Sequence, residues 1–507
     1  MIQALNTMNA STSPTPCSAN LEQAQRALVD SLSRVIHDYR PAYHLAPVAG
    51  WMNDPNGVVY FRGEYHVFYQ HHPFEAKWGP MYWGHAKSVD LVHWQHLPIA
   101  LAPGDDFDRD GCFSGSAVVY EDTLALIYTG HTWLGDVGDE HLIRQVQCLA
   151  TSTDGVRFVK HGAIIDTPPQ DSIMHFRDPK VWKEDDHWYL IAGARQGDRP
   201  LLPLYRSADL HAWEFLDYVD RGGEGDGYMW ECPDLFRLNG HDVLLYSPQG
   251  MQPQGYERLN KYQTGYRVGR LDSEWHFTGG PFIELDNGHD FYAAQTLEAA
   301  DGRRLVWAWL DMWESPMPSQ AHHWCGMLGL PRELELHADR LRMFPARELT
   351  ALRQAPLPGT PPWAGSGTQW VSHVRGDALE IHVHLDLRGC TDGQLGVALR
   401  CSPDGENTEQ TLLYYDASLR RLMLDRSRSG AQVDGQRSVP IDPPIEQLRL
   451  RVFLDRSSIE VFEEEGRFSL SSRIYPRSDS LGVKLLASGT GGHVAITNAW
   501  PLGSSWL

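Results

Sequence analysis

Five short segments of the 507-residue chain open on a polar residue, continue apolar, and recur at an almost constant spacing. They begin at Asp54 (Asp-Pro-Asn-Gly-Val-Val-Tyr), Ser114 (Ser-Gly-Ser-Ala-Val-Val-Tyr), Asp178 (Asp-Pro-Lys-Val-Trp), Glu231 (Glu-Cys-Pro-Asp-Leu-Phe) and Asp290 (Asp-Phe-Tyr-Ala-Ala), at intervals of 60, 64, 53 and 59 residues. A period of this size marks a repeat architecture. Each interval has room for four short strands. The texture between 41 and 345 agrees, with short apolar or alternating runs broken by Gly, Pro and Asp. Five such units are expected to stand radially about an axis as a five-bladed β-propeller. The innermost strand of each blade lines the axis, so the five polar heads should surround one funnel.

A second repeat runs in step with the first. Ser88-Val-Asp-Leu-Val-His-Trp94 recurs as Ser152-Thr-Asp-Gly-Val-Arg-Phe158 and as Ser207-Ala-Asp-Leu-His-Ala-Trp213. Outside the repeats the pattern changes. Residues 1–20 are rich in Ser, Thr, Pro and Asn and are expected to be disordered. Leu21, Ala24, Leu28, Leu32, Val35, Ile36 and Tyr39 recur at helical spacing. They predict one amphipathic helix over 21–40, packed on the main body or on a partner subunit. A Pro/Gly-rich stretch over 355–368 reads as a linker. Alternation resumes beyond it, so 370–507 is expected to be a β-sandwich. The expected organisation is therefore all-β: 1–40 as tail and helix, 41–350 as propeller, 351–369 as linker and 370–507 as sandwich.

The formal charge of −21 argues against nucleic acid and against an anionic membrane surface as partners. No stretch reaches the roughly 20 apolar residues of a membrane span. The first twenty residues lack the basic and apolar regions of a signal peptide. The seven cysteines, at 17, 112, 148, 232, 325, 390 and 401, are widely spaced and form no CxxC pair. Reduced thiols in a cytoplasmic protein are the expectation. A homo-oligomer is compatible with everything above.

Three of the five heads are carboxylates in unusual surroundings. Asp54 lies in Trp51-Met-Asn-Asp-Pro-Asn-Gly57, Asp178 follows Arg177, and Glu231 sits between Trp230 and Cys232. Glycoside hydrolysis needs one carboxylate to attack or to activate water, and a second carboxyl group to protonate the leaving oxygen. Their environments must push the two pKa values apart. The amides of Asn53 and Asn56 should hold Asp54 ionised. Arg177 should keep Asp178 charged, and the less polar neighbours of Glu231 should favour its protonated form.

These motifs, in this order and at these separations, strongly resemble the invertase and β-fructofuranosidase family, glycoside hydrolase family 32. The resemblance continues through Tyr69-Gln-His-His-Pro73, Trp78-Gly-Pro80, Trp83-Gly-His85, Phe113-Ser-Gly-Ser116, Asp290-Phe-Tyr-Ala-Ala-Gln-Thr296 and Pro331-Arg-Glu-Leu334. In the second domain it includes Asp455-Arg-Ser-Ser-Ile-Glu-Val-Phe462 and Ser472-Arg-Ile-Tyr-Pro476, and no departure occurs at the three acids. The resemblance implies a five-bladed propeller followed by a sandwich. It implies Asp54 as nucleophile, Glu231 as general acid/base, Asp178 as transition-state stabiliser, and no metal or organic cofactor. Matching positions imply fructose-binding roles for Asn53, Gln70, Trp78, Phe113, Ser114, Arg177, Tyr292 and Trp309. Within the family the wording looks most like bacterial intracellular sucrose hydrolases. The alternative is a sucrose-6-phosphate hydrolase, for which Lys77, Arg109 and Arg195 are the candidate phosphate partners.

Three other classes fit less well. A metal enzyme would need a ligand set, and adjacent histidines such as 71–72 and 322–323 do not easily share one ion. A non-catalytic sugar-binding propeller would be expected to lose at least one acid. A neighbouring inverting propeller family would share the fold but not the stereochemistry. If Asp54 is the nucleophile, Asp54→Asn should abolish nearly all activity while the protein stays folded; near-normal release of reducing sugar by a folded variant would remove Asp54 from the mechanism.

Overall fold

In the computed structural model, which describes residues 16–403 and 408–506, the Ser-x-Asp repeat is a turn. Asp90 Oδ1 accepts hydrogen bonds from the backbone N–H groups of Val92 (3.0 Å) and His93 (2.8 Å). Asp154 does the same for Val156 and Arg157, and Asp209 for His211 and Ala212. Each carboxylate caps the turn that joins the third strand of a sheet to its fourth: Tyr82–Ser88 to Gln95–His96, Ile143–Ser152 to Val159–Ile165, and Arg199–Ser207 to Glu214–Arg221. Asp272 caps a related turn between Gly265–Leu271 and Phe277–Gly279, accepting from the N–H groups two and four residues ahead. Arg270 stands there in place of the serine, which hid this copy from the sequence.

Five sheets lie between Gly50 and Pro345, and each starts from one of the five openers. Their first strands are Gly50–Phe61, Gly111–Tyr120, Ile173–Glu184, Met229–Leu238 and Tyr292–Glu298. Each of these touches the next, and the fifth touches the first, so together they ring an axis. A parallel pairing of Gly50 and Trp51 with Trp324 and Cys325 ties the end of the ring to its beginning. Side chains alternate along a strand, so a sheet offers one face to each neighbour. Ala125, Ile127 and Leu149 of the second sheet pack on Leu190 and Ala192 of the third. From the opposite face Leu124, Leu126 and Cys148 pack on Phe68 and Trp83 of the first. Further apolar clusters fill the remaining three gaps. Burying each Leu, Ile or Val here contributes about 1.5–3 kcal/mol.

A six-stranded and a five-stranded sheet between Gly367 and Pro501 enclose one apolar core, as expected of a sandwich. The Pro/Gly-rich stretch before it is not slack. Leu357, Thr360 and Trp363 donate to the carbonyls of Ala499, Ile496 and Val494, each at 2.8 Å, so the segment lies as a strap along the last strand.

The N-terminal helix spans Pro16–Leu32, earlier than predicted. Disorder was expected over 1–20; residues 1–15 lie outside the described residues, whereas 16–20 form the start of the helix. Ala24 and Leu28 pack against Val48, Ala49, Tyr82 and Ile99, so the helix sits on the main body. It stops early because a tertiary contact wins. Ile36 N–H donates to the carbonyl of His322 (3.1 Å), and Tyr39 stacks on the His322 ring at 4.9 Å. Val35, Ile36 and Tyr39 therefore anchor an extended segment and not a fourth helical turn.

That segment leads to His44, which is buried between the two large units. Its Nδ1 lies 2.8 Å from Asp455 Oδ2, and its Nε2 lies 2.7 Å from Glu460 Oε1. Burial alone would lower the His44 pKa, but hydrogen bonds to Asp455 and Glu460 push it up to about 9. Breaking such a pair strands buried carboxylates. His44→Gln should destabilise the protein by about 3–5 kcal/mol. The raised pKa fixes the sign: the stabilisation is whole below about pH 6.5 and is lost as pH rises through about 9. Denaturant melts of both proteins at pH 6 and pH 10 check this; an equal difference at the two pH values would contradict it.

Candidate active site

The five openers share a local distortion. Each inner strand breaks register at or just after its polar head: between Met52 and Pro55, between Phe113 and Gly115, across Arg177–Lys180, between Glu231 and Asp234, and, two residues beyond Asp290, between Tyr292 and Gln295. Asp290 itself does not line the funnel, because it is bonded by Arg426 and Arg473. A bulge re-aims a side chain that a regular strand would point into a sheet–sheet gap. Asp178, Cys232 and Ala293 accordingly take left-handed backbone angles, with φ of 63°, 47° and 55°. Such conformations cost about 1–3 kcal/mol each and persist where the surroundings enforce them. Here the Asp178 N–H donates to Thr129 Oγ1 (2.9 Å), and the Cys232 N–H donates to Asp178 Oδ2 (3.0 Å).

The three acids meet in one funnel-shaped cavity of about 320 Å³. Asp54 Oδ1 accepts from Asn53 Nδ2 at 3.0 Å, and Oδ2 accepts from Ser114 Oγ at 2.7 Å. Asn56 does not reach Asp54. Its amide donates to Ser114 Oγ (3.2 Å) and accepts from Gln70 Nε2 (2.9 Å), so it acts one bond removed. Glu231 Oε1 accepts two bonds from Arg177, from Nε at 2.9 Å and from Nη2 at 2.8 Å. Its Oε2 accepts from Gln249 Nε2 (2.9 Å) and from the Tyr292 hydroxyl.

Three expectations about the acids are therefore corrected. Arg177 serves Glu231; its Nε stands 4.0 Å from Asp178 Oδ2. The neighbours of Glu231 in space are polar donors, because the Trp230 indole turns away to the carbonyl of Asp226 and stacks near Tyr246. Neither aspartate is held low. Burial, and then the charge of Glu231, push Asp54 up to about 6 against the bonds from Ser114 and Asn53. Burial and Glu231 push Asp178 to about 7, and Arg177 offsets only part of this. Three carboxyl groups share one guanidinium in a site with little water, so their charges compete.

Asn53, Gln70, Trp78, Phe113, Ser114 and Arg177 line the cavity. Trp78 stands at the mouth, 41% exposed, edge-on to Phe113. Tyr292 and Trp309 lie behind the wall, 1% and 0% exposed. Tyr292 reaches the site through its bond to Glu231. Trp309 backs Trp313 at 4.9 Å and Trp51 at 5.7 Å. Several wall residues escaped the sequence reading. Among them are Gln249, Tyr228, Tyr262, Trp313 and Glu314, with His131 stacked on Phe113 at 4.2 Å and His175 beside Arg177. Gln249 was within reach: the hairpin about Asn239-Gly240 sets it opposite Met229. His175 lies on the inner strand Ile173–Glu184 and His131 on the second strand Thr123–Trp133, while Tyr228, Tyr262, Trp313 and Glu314 sit on loops that no periodicity addresses. A larger cavity of about 460 Å³ opens at the opposite end of the same inner strands, around Lys180, Asp234 and Arg304, and contains none of the three acids.

None of the three candidate phosphate partners lines the cavity. Lys77 pairs with Glu75 (3.4 Å) and Arg109 with Asp110 (2.9 Å). Arg195 pairs with Asp198 (3.0 Å) and covers the Tyr228 ring at 4.6 Å.

Fold and site together define a carbohydrate-cleaving propeller enzyme, and the chain belongs to glycosyl hydrolases family 32: the family's N-terminal domain model matches residues 44–345, and its C-terminal model matches 348–501. Its relatives include a sucrose-6-phosphate hydrolase of Zymomonas mobilis subsp. mobilis, 46% identical over 93% of this chain and 94% of that protein. A raffinose invertase of Escherichia coli is 47% identical over 92% of this chain and 96% of that protein. Among solved structures, a Bombyx mori family 32 β-fructofuranosidase, a mutant in complex with sucrose, superposes with a TM-score of 0.84. It is 36% identical, with 96% of this chain and 99% of that one covered.

The raised pKa of Asp178 makes a stability prediction. A carboxyl group whose folded pKa is raised favours the fold below its unfolded value of 3.8, and this is lost as pH rises through about 7. Asp178→Asn removes that loss. Its Tm should match wild type near pH 4 and exceed it by about 2–5 °C near pH 8, as read by scanning calorimetry. A Tm gain that is the same at both pH values would show that the buried charge is not its source.

Proposed function

We propose that this chain is a retaining β-fructofuranosidase that releases fructose from sucrose by double displacement. The observation that carries the reading is the convergence of Asp54, Asp178 and Glu231, from three different inner strands, on one funnel lined by Trp and amide side chains. Asp54 attacks the anomeric C2 of the fructosyl unit while Glu231 protonates the oxygen that leaves with glucose. Glu231 then deprotonates water, which releases fructose with retained configuration. Asp178 grips fructosyl hydroxyls and balances the positive charge that develops on the ring. Asn53, Gln70, Trp78, Phe113, Ser114 and Arg177 contact fructose, and Tyr292 and Trp309 support the wall.

Charge favours sucrose over sucrose 6-phosphate. Among the described lining residues Arg177 is the sole Lys or Arg, and both of its bonds to the acids go to Glu231. Asp54, Glu140, Asp178, Glu231 and Glu314 face the same space. A phosphate dianion would meet carboxylates and no uncommitted fork of donors. The names of the relatives include both sucrose-6-phosphate hydrolase and raffinose invertase, so the leaving group is a question for the bench. The same proposal takes the five sheets as five blades, places the domain boundary in the 351–369 strap, and sets the protein in the cytoplasm. The last point is supported by the six described cysteines, all free.

Reducing-sugar release from sucrose, sucrose 6-phosphate, raffinose and inulin, compared side by side, tests the reading. Sucrose should exceed sucrose 6-phosphate in kcat/KM by about tenfold or more, a gap of about 1.4 kcal/mol. The reverse preference would transfer the assignment to the phosphorylated substrate, and an inverted first anomer by NMR would remove double displacement.

A further inference from the structure

Several sandwich side chains meet the segments behind the funnel wall, and Arg473 bonds two of those segments at once. Arg473 is 1% exposed and directs most of its guanidinium bonds to the fifth unit of the ring, with one at 3.4 Å to the Tyr475 hydroxyl of its own domain. Nε and Nη2 donate to Asp290 Oδ1 at 3.0 and 2.9 Å, and the Arg473 backbone N–H donates to Asp290 Oδ2 at 2.8 Å. Nη1 lies 2.8 Å from Asp311 Oδ1 and donates to the carbonyl of Pro316 at 3.1 Å. Nη2 also donates to Ser315 Oγ at 2.6 Å. Arg426, from the same domain, completes the set with a 2.5 Å bond to Asp290 Oδ2.

These contacts flank two working parts of the site. Asp290 stands two residues before Tyr292, whose hydroxyl bonds Glu231. Asp311, Ser315 and Pro316 bracket Trp313 and Glu314, which line the cavity. Two carboxylates on one guanidinium fix the relative placement of these parts, because the planar fork sets both directions at once. Lysine keeps the charge and loses the fork.

We propose that Arg473 is a positioning residue for the fructosidase reaction. From the second domain, it holds the strand that presents Tyr292 to Glu231 and the loop that presents Trp313 and Glu314 to the sugar. The inference rests on the functional reading above for its assay. The sandwich is then part of the working site and not only a support for the propeller.

Arg473→Lys should raise the KM for sucrose by about tenfold, weaken the binding of fructose in calorimetry to a similar extent, and shift the pH profile of kcat as the hold of Tyr292 on Glu231 slackens. Asp311→Asn, which loosens only the loop arm, should raise KM and leave kcat near wild type. His44→Gln breaks an equally buried contact between the domains, with Asp455 and Glu460 and with none of Asp290, Asp311, Ser315 or Pro316; it should lower the Tm and leave KM and the pH profile unchanged. If Arg473→Lys and Asp311→Asn lower the Tm but keep the wild-type KM, fructose affinity and pH profile, Arg473 is structural and the inference falls. Wild-type protein that binds fructose but cleaves no fructoside would overturn the functional reading by itself, and the fructose affinities of the variants would still decide the role of Arg473.

Discussion

A β-sheet that is apolar on both faces needs a neighbour on each side, and a row of such sheets leaves two faces uncovered until it closes. The five sheets of this protein meet that constraint with a ring. Five apolar clusters fill the five gaps, and the parallel pairing at Gly50 and Trp51 joins the last unit to the first. Closure brings the five openers together, because a residue at the head of an inner strand has nowhere to face except the axis or a gap. The bulges then turn Asp54, Ser114, Asp178 and Glu231 into the funnel, whereas Asp290 faces Arg426 and Arg473 of the second domain. Fold stability and site geometry thus share a cause.

The site carries the cost of this arrangement. Closing three carboxyl groups in one funnel raises Asp54 and Asp178 well above ordinary carboxylates, and a single guanidinium serves the group. The left-handed backbone at Asp178 and Cys232 adds strain. An unliganded site of this kind is a destabilised region held in place by a stable ring, as expected where selection acts on activity. The second domain contributes to the holding. Its Arg473 and Arg426 meet Asp290, its Ser469 and Ser471 meet Asp286, and its Asp455 and Glu460 meet His44. All of these contacts are buried. Burial takes away the water that would screen them, so they hold firmly only where their partners are complete.

Much of this was legible in the chain. The interval between openers predicted the units, and the motifs selected the three acids that the structure gathers. The Ser-x-Asp repeat was visible but its role was not, since a capping carboxylate and a catalytic one look alike in a string of letters. The partner of Arg177 was misread because sequence adjacency was taken for spatial adjacency. At the bulge both side chains face the funnel, but the Arg177 guanidinium reaches across to Glu231 on the next inner strand with two bonds, and Asp178 Oδ2 stays 4.0 Å from its Nε. Helical spacing over Val35, Ile36 and Tyr39 misled for a related reason: Tyr39 stacks on the remote His322, and Ile36 is held there by its backbone N–H while its side chain is exposed.

The sequence by itself determined the class of fold and set three acids at the heads of its repeat, because period, alternation and turn chemistry are local properties of the chain. Tertiary structure alone decided which donor serves which acid, which tryptophans line the cavity, and that a residue 183 positions beyond Asp290 bonds it. Those outcomes depend on distances between segments remote in sequence. Ring closure and domain docking set such distances, and no local pattern encodes them.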